Sequence, residues 1–177
     1  MKLVVGHSWV RRLSDLYICG DDFVLLGKGG ATFTSISDDV RKFFRNLKGD
    51  RPEVIFVFLG SNDLDNLDGT AEVFKVTTDC EAFCNLLRQL SPGSKLVFSQ
   101  VEDRYAWNHL ENPETILVDF KAKSNKFNKW LNKWDGKDGV FILKGRKGFS
   151  DPSLYGRDGI HLNYPGNVKL AERLSDY

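Results

Sequence analysis

The chain has 177 residues, of which 41% are hydrophobic and 28% charged, and its formal net charge is +1. That length suits one domain, residues 1–177, with a sizeable core that needs no metal or disulfide staple. The near-zero charge excludes a surface given over wholly to nucleic acid or acidic membranes, although local patches remain open.

The first apolar run, Leu3-Val4-Val5, predicts a strand over 2–5 and gives way at once to Gly6-His7-Ser8. Glycine permits a tight turn there, and a side chain just past the C-terminal edge of a parallel strand projects where α/β proteins bind ligands. Ser8 therefore reads either as a nucleophile at a strand-to-helix junction or as the N-cap of a helix running through Val10 to Leu16. A second strand is expected over 23–26, followed by Gly27-Lys28-Gly29-Gly30-Ala31-Thr32, where backbone amides can approach a ligand closely. This is not a nucleotide loop: it lacks the P-loop spacing and its Lys-Ser/Thr ending, and it follows the second strand rather than the first.

Val40, Phe43, Phe44 and Leu47 fall at helical spacing and predict a helix over 37–47 with Ser37 as its cap. The apolar run 54–59 predicts a third strand, which ends in Gly60-Ser61-Asn62-Asp63-Leu64. Asn62 offers an amide donor at that end, and Asp63 can accept from neighbouring backbone. Phe83, Leu86, Leu87 and Leu90 predict a helix over 79–90 that Ser91-Pro92-Gly93 stops. A fourth strand is expected over 95–99. Next comes a helix over about 119–134, with Phe127, Trp130, Leu131 and Trp134 on one face and lysines on the other. A fifth strand spans 140–143, Asp158-Gly159-Ile160-His161-Leu162-Asn163 forms a loop, and a last helix follows Pro165. The alternation predicts a three-layer α/β/α sandwich around a central, mainly parallel five-stranded sheet of flavodoxin-like type.

Cys19, Cys80 and Cys84 make no even disulfide framework and lack the companions of a zinc site, so they read as structural thiols in a reducing compartment. No apolar run approaches the roughly 20 residues of a membrane span, and the opening strand leaves no room for a signal peptide. The expectation is a cytoplasmic or nuclear protein, or a domain excised from a longer one. No metal or cofactor is implied, because the histidines His7, His109 and His161 are dispersed.

Placed at neighbouring strand ends, these segments supply a hydrolytic kit. Serine is a poor nucleophile near neutral pH unless an imidazole takes its proton, and that imidazole works best when its other nitrogen donates to a fixed carboxylate. Asp158 and His161, three apart in a tight loop, can bring a carboxylate behind the ring. Backbone and amide donors can then receive an oxyanion.

In these blocks, and in their order along nearly the whole chain, the sequence resembles the SGNH hydrolases, or GDSL-type esterases. The resemblance implies Ser8 as nucleophile, the Ser8 and Gly30 amides with the Asn62 side chain as oxyanion donors, and Asp158 with His161 as the rest of a triad. One departure is plain: the first block usually reads Gly-Asp-Ser, and His7 stands where the aspartate would be. His7 is too close to Ser8 along the chain to serve as its base, and His109 reads as a surface or supporting residue. The wording of Gly-His-Ser-Trp-Val-Arg-Arg-Leu and Asp-Gly-Ile-His-Leu-Asn also resembles SGNH domains carried by animal mobile elements.

With no insertion long enough for a lid, the implied substrate is a small-molecule ester with a short, acetyl-like acyl group. His7, Arg11, Arg12, Arg104 and Arg157 are candidate substrate contacts, the arginines for an acidic leaving group. A second feature is basic: Lys121, Lys123, Lys126, Lys129, Lys133, Lys137, Lys144, Arg146 and Lys147 face only Asp119, Asp135 and Asp138 in the same stretch. Lys126, Lys129, Lys133 and Lys137 recur near helical spacing. They read either as a solvated helix face or as a weak contact for nucleic acid or phosphorylated ligands, which would be the role of an SGNH-like domain without catalysis. Oligomeric state is left open.

Overall fold

Five short apolar runs become the strands β1 (Lys2–Gly6), β2 (Phe23–Gly27), β3 (Val54–Phe58), β4 (Lys95–Ser99) and β5 (Val140–Leu143). The structure is a computed structural model that describes all residues except 17–18, 66–71 and 106–112, together with the side chains of 113, 146 and 147. All strand pairs are parallel, in the order β2-β1-β3-β4-β5.

Period-two alternation sends the strand residues to two cores. Leu3, Val5, Ile55, Val57, Leu96 and Phe98 pack on one face against α2 (Ser37–Asn46), α4 (Val73–Leu90) and α5 (Pro113–Leu131). Val4, Phe56, Phe58 and Val97 pack on the other, against α1 (Ser8–Leu16) and α7 (Tyr164–Ser175). Burial on both faces explains why β3 is apolar along its whole length. Two single turns, α3 (Ser61–Leu64) and α6 (Arg146–Phe149), complete the helices among the described residues. The expected three-layer sandwich is thus the observed one.

Strand order places the site. The chain leaves β1 for β2 at the edge, then crosses back to β3 on the other side of β1. The connections after β1 and β3 therefore diverge and leave a crevice at the C-terminal ends of the strands.

Three helix expectations need correction. Ser37 is not a cap: it lies inside α2, where its hydroxyl donates to the Phe33 carbonyl at 2.8 Å, and Ile36 occupies the cap position. α4 begins at Val73 rather than 79, because Val73, Val76 and Cys80 carry its buried face back to the first turn and Lys75 pairs with Asp79 one turn on. α5 begins at Pro113, whose missing N–H costs nothing in a first turn, and ends at Leu131. One tight turn, Asn132–Trp134, follows, and Gly136 at φ +77° redirects the chain. Lys137 therefore lies beyond the helix rather than on the lysine face of α5. Cys80 and Cys84 are buried in the core, where burial pushes both thiols up.

The sheet and α1 meet most closely at Gly27, opposite Gly6 in the β1–β2 register. A Cβ at Gly27 would lie 2.1 Å from the Arg11 amide nitrogen and 2.5 Å from its Cα, both backbone atoms that cannot rotate away. Gly27→Ala is expected to cost about 2 kcal/mol or more of stability, read as a lower urea midpoint. An unchanged midpoint would show that α1 slides freely on the sheet.

Candidate active site

Gly6 ends β1, and the residue after it decides what Ser8 does. The His7 amide continues the sheet by donating to the Phe58 carbonyl (3.1 Å), while the His7 carbonyl accepts the first helical bond from Arg11 (3.2 Å). Its ring nitrogen Nδ1 accepts from the Trp9 amide at 3.3 Å, so the N-cap of α1 is His7. Ser8 is the first helical residue and its hydroxyl is not spent on capping, which removes the cap reading. The Ser8 Oγ lies 3.0 Å from His161 Nε2. His161 Nδ1 lies 2.7 Å from Asp158 Oδ2.

The loop before α7 is built to hold that pair. Asp158 Oδ1 accepts from the Ile160 and His161 amides at 3.0 and 2.9 Å, with Gly159 at φ +62° making the turn. Burial opposes ionisation of Asp158, but the bonds from the His161 amide and ring and from the Ile160 amide outweigh it and hold the carboxyl at about 2. The Trp9 indole donates to the Ile160 carbonyl at 3.0 Å, tying the helix that carries Ser8 to the loop that carries His161. No role for Trp9 was expected from the sequence, although its position directly after Ser8 was an available signal.

The opposite wall comes from the loops after β2 and β3. Gly30 takes φ +70°, a left-handed conformation that glycine adopts without strain. The Asn62 side-chain amide donates one hydrogen to the Ala31 carbonyl at 2.9 Å and, among the described residues, retains a second. Among the described residues, the Ser8 and Gly30 amides have no acceptor. Asp63 fastens the two loops together, Oδ1 accepting from the Phe33 amide (3.0 Å) and Oδ2 from the Gly60 amide (3.1 Å). Burial of this carboxylate outweighs those bonds and raises Asp63 to about 6.

Ser8, Gly30, Asn62 and His161 line one cleft of about 340 Å³, together with His7, Arg11, Arg12 and Arg104. The side chain of Arg104 is buried, 4% exposed. It binds Asp65 at 2.5 Å and Ser61 Oγ at 2.9 Å, and lies over the Phe120 ring. It therefore braces the turn around Asn62 from inside the wall, a role that needs Asp65 and Ser61 as partners and was not visible in the sequence. Arg11 is exposed and Arg12 half-buried at the rim, whereas Arg157 is exposed and does not line the cleft. His109 lies outside the described residues. Lys126, Lys129, Lys133 and Lys137 are exposed and lack ion pairs among the described residues, while Lys121, Lys123 and Lys144 sit beside Asp103, Asp119 and Asp135. The side chains of Arg146 and Lys147 are outside the described set.

A parallel sandwich with serine, histidine and aspartate hydrogen-bonded in series at its strand ends defines a hydrolase of the SGNH type. The chain belongs to the GDSL-like lipase/acylhydrolase family, whose model matches residues 4–169. Solved structures share the fold. A member of the lipolytic protein G-D-S-L family from Veillonella parvula has a TM-score of 0.73 at 12% identity, over 99% of this chain and 96% of that one. The family 3 carbohydrate esterase of Clostridium thermocellum has a TM-score of 0.64 at 20% identity, over 100% and 94%. An acetyl xylan esterase has a TM-score of 0.66 at 20% identity, over 99% and 98%. No curated protein sequence matches the chain.

Asp63 generates a stability signature. Because its folded value of about 6 exceeds the ordinary 3.8, the folded chain holds a proton that the unfolded chain has released between about pH 4 and 6. Stability from this group is thus expected to fall as pH rises through that window, by on the order of 3 kcal/mol, and to stay level above it. Urea unfolding of the wild type and Asp63→Asn across pH 4–8 reads the difference. Parallel curves would show that Asp63 titrates alike in both states.

Proposed function

We propose that the protein is a serine esterase that hydrolyses short-chain, acetyl-like carboxylic esters. The observation that carries this reading is the continuous hydrogen-bonded line from Ser8 Oγ through His161 to Asp158, open to a cleft that also holds donors from two further loops. A cleft of about 340 Å³ suits a small acyl group, and two of the structural neighbours are named as an acetyl xylan esterase and a carbohydrate esterase.

In this mechanism His161 Nε2 takes the Ser8 proton as Oγ attacks the ester carbonyl. Asp158 keeps the Nδ1 proton directed away from the serine and stabilises the imidazolium, which its own low protonation range permits. The Ser8 amide, the Gly30 amide and the second hydrogen of Asn62 Nδ2 receive the oxyanion. His161 then gives its proton to the leaving alcohol, and water activated by the same ring releases the acid from Ser8. Arg11 and Arg12 at the rim suit an alcohol half that carries negative charge.

Hydrolysis of a chain-length series of p-nitrophenyl esters tests the reading. Ser8→Ala and His161→Ala are expected to abolish turnover, with acetate the preferred acyl group. Asn62→Ala is expected to lower kcat by about 10²–10³ through loss of one oxyanion donor. Residual turnover unchanged by Ser8→Ala would sink the proposal. Trp9→Phe, which keeps the ring and removes the bond to Ile160, is expected to lower kcat by roughly 10- to 100-fold at unchanged KM, since it loosens His161 against Ser8. Equal kcat would show that the loop is held by Asp158 alone.

A second reading rests on exposed Lys126, Lys129, Lys133 and Lys137, which have no carboxylate partners among the described residues. On this reading the lysines hold phosphates of nucleic acid or of a phosphorylated ligand. Binding of single-stranded DNA that weakens steeply with salt, and that survives Ser8→Ala while ester turnover is absent, would favour it.

A further inference from the structure

We infer that His7 is a positioning residue that works uncharged: its imidazole caps α1 through the Trp9 amide, fixing Ser8 at the first helical position while adding no charge beside His161. This inference rests on the esterase reading for its kinetic consequences and on the cap geometry for its substance.

The cap itself requires a neutral ring. Nδ1 accepts from the Trp9 amide at 3.3 Å, and a protonated imidazole has two N–H groups and no acceptor. Protonation of His7 would set two donors face to face at the start of the helix that carries the nucleophile. Trp9 adds a second constraint, with its ring edge-on to the imidazole at 5.8 Å and 78° while its indole holds the Ile160 carbonyl. His7, Trp9 and Ile160 thus form one connection from the Ser8 turn to the residue before His161. Helix stability alone does not call for this choice, since Asn, Asp, Ser and Thr are the preferred caps.

The charges around the ring explain why a neutral cap matters. Arg104, from the loop after β4, and His161, from the loop before α7, both act on His7. Burial, then Arg104, then His161 push it down to about 3. Arg11 and Arg12 from α1, Asp65 after α3, and Glu102 and Asp103 after β4 line the same cleft. Asp65 is held by Arg104, and Asp158 already supplies the carboxylate behind His161. An aspartate at position 7 would place another negative charge in the cleft and favour protonated His161, the form that cannot take the serine proton.

The experiment compares wild type, His7→Ala, His7→Asn and His7→Asp, each checked for folding by thermal melting. It uses kcat and KM for p-nitrophenyl acetate across pH, and the NMR titration of the His161 ring. His7→Ala is expected to lower kcat roughly tenfold at unchanged KM, with the acid limb in place. His7→Asn restores an acceptor and is expected to recover most of that loss. His7→Asp is expected to move the acid limb and the His161 titration to higher pH by about 0.5–1 unit, limited by its attraction to Arg104. An unmoved limb in His7→Asp, full activity in His7→Ala, or His7→Asn as poor as His7→Ala would each overturn the inference. The NMR arm separates the two readings. A shifted His161 titration, with a melting temperature lowered in His7→Ala and restored in His7→Asn, in a chain that hydrolyses no ester would uphold the neutral cap and defeat the esterase, whereas an unshifted titration in an active enzyme would defeat the inference alone.

Discussion

The parallel pairing of β1 between β2 and β3 is the constraint on which the rest of the structure depends. Because β1 is hydrogen-bonded on both sides, the ends of three strands are level, with Gly6 opposite Gly27 on one side and Phe58 on the other. Three loops then leave from one edge of the sheet, and each delivers one component: Ser8, Gly30 and Asn62. The absence of a Cβ at Gly27 lets α1 start close against that edge, so Ser8 stands at the crevice rather than beyond it.

Two aspartates show how similar bonding gives opposite electrostatics. Asp158 and Asp63 each accept two backbone amides, yet Asp158 is held low while Asp63 is pushed up. Asp158 is 37% exposed and gains the His161 ring as a partner, so water and imidazole share its charge. Asp63 lies under the loops that carry Gly30 and Asn62 and, among the described residues, accepts only from amides, so burial dominates. The first arrangement suits a carboxylate that stays ionised behind a base, and the second suits a clamp between loops.

Much of the fold was legible because the signals were local. Apolar runs of four to six residues bounded by glycine or polar turns marked all five strands, and each lies within a residue or two of its expected bounds. Helix starts were harder. The apolar stripes of α4 and α5 run back to Val73 and Ile116, but buried polar Thr77 interrupts the first and exposed apolar Val118 blurs the second. Gly-Ser-Asn-Asp and Asp-Gly-Ile-His were recognisable in the site because their residue types and order are specific. Arg104 was picked out only as a candidate substrate contact, since a basic residue after a strand looks the same whether or not it also binds Asp65 and Ser61.

By itself the sequence determined the strand and helix alternation, the family, and which side chains could carry acyl chemistry, since these depend on residue type and short spacing. Only the tertiary structure decided how those side chains are used. His7 rather than Ser8 caps α1, Trp9 reaches 151 residues along the chain to hold Ile160, and Asp63 joins loops 30 residues apart. The reason is physical: capping, tethering and burial depend on which backbone groups are brought within hydrogen-bond reach and which charges lose water, and both follow from how the strands stack rather than from the order of residues along any one of them.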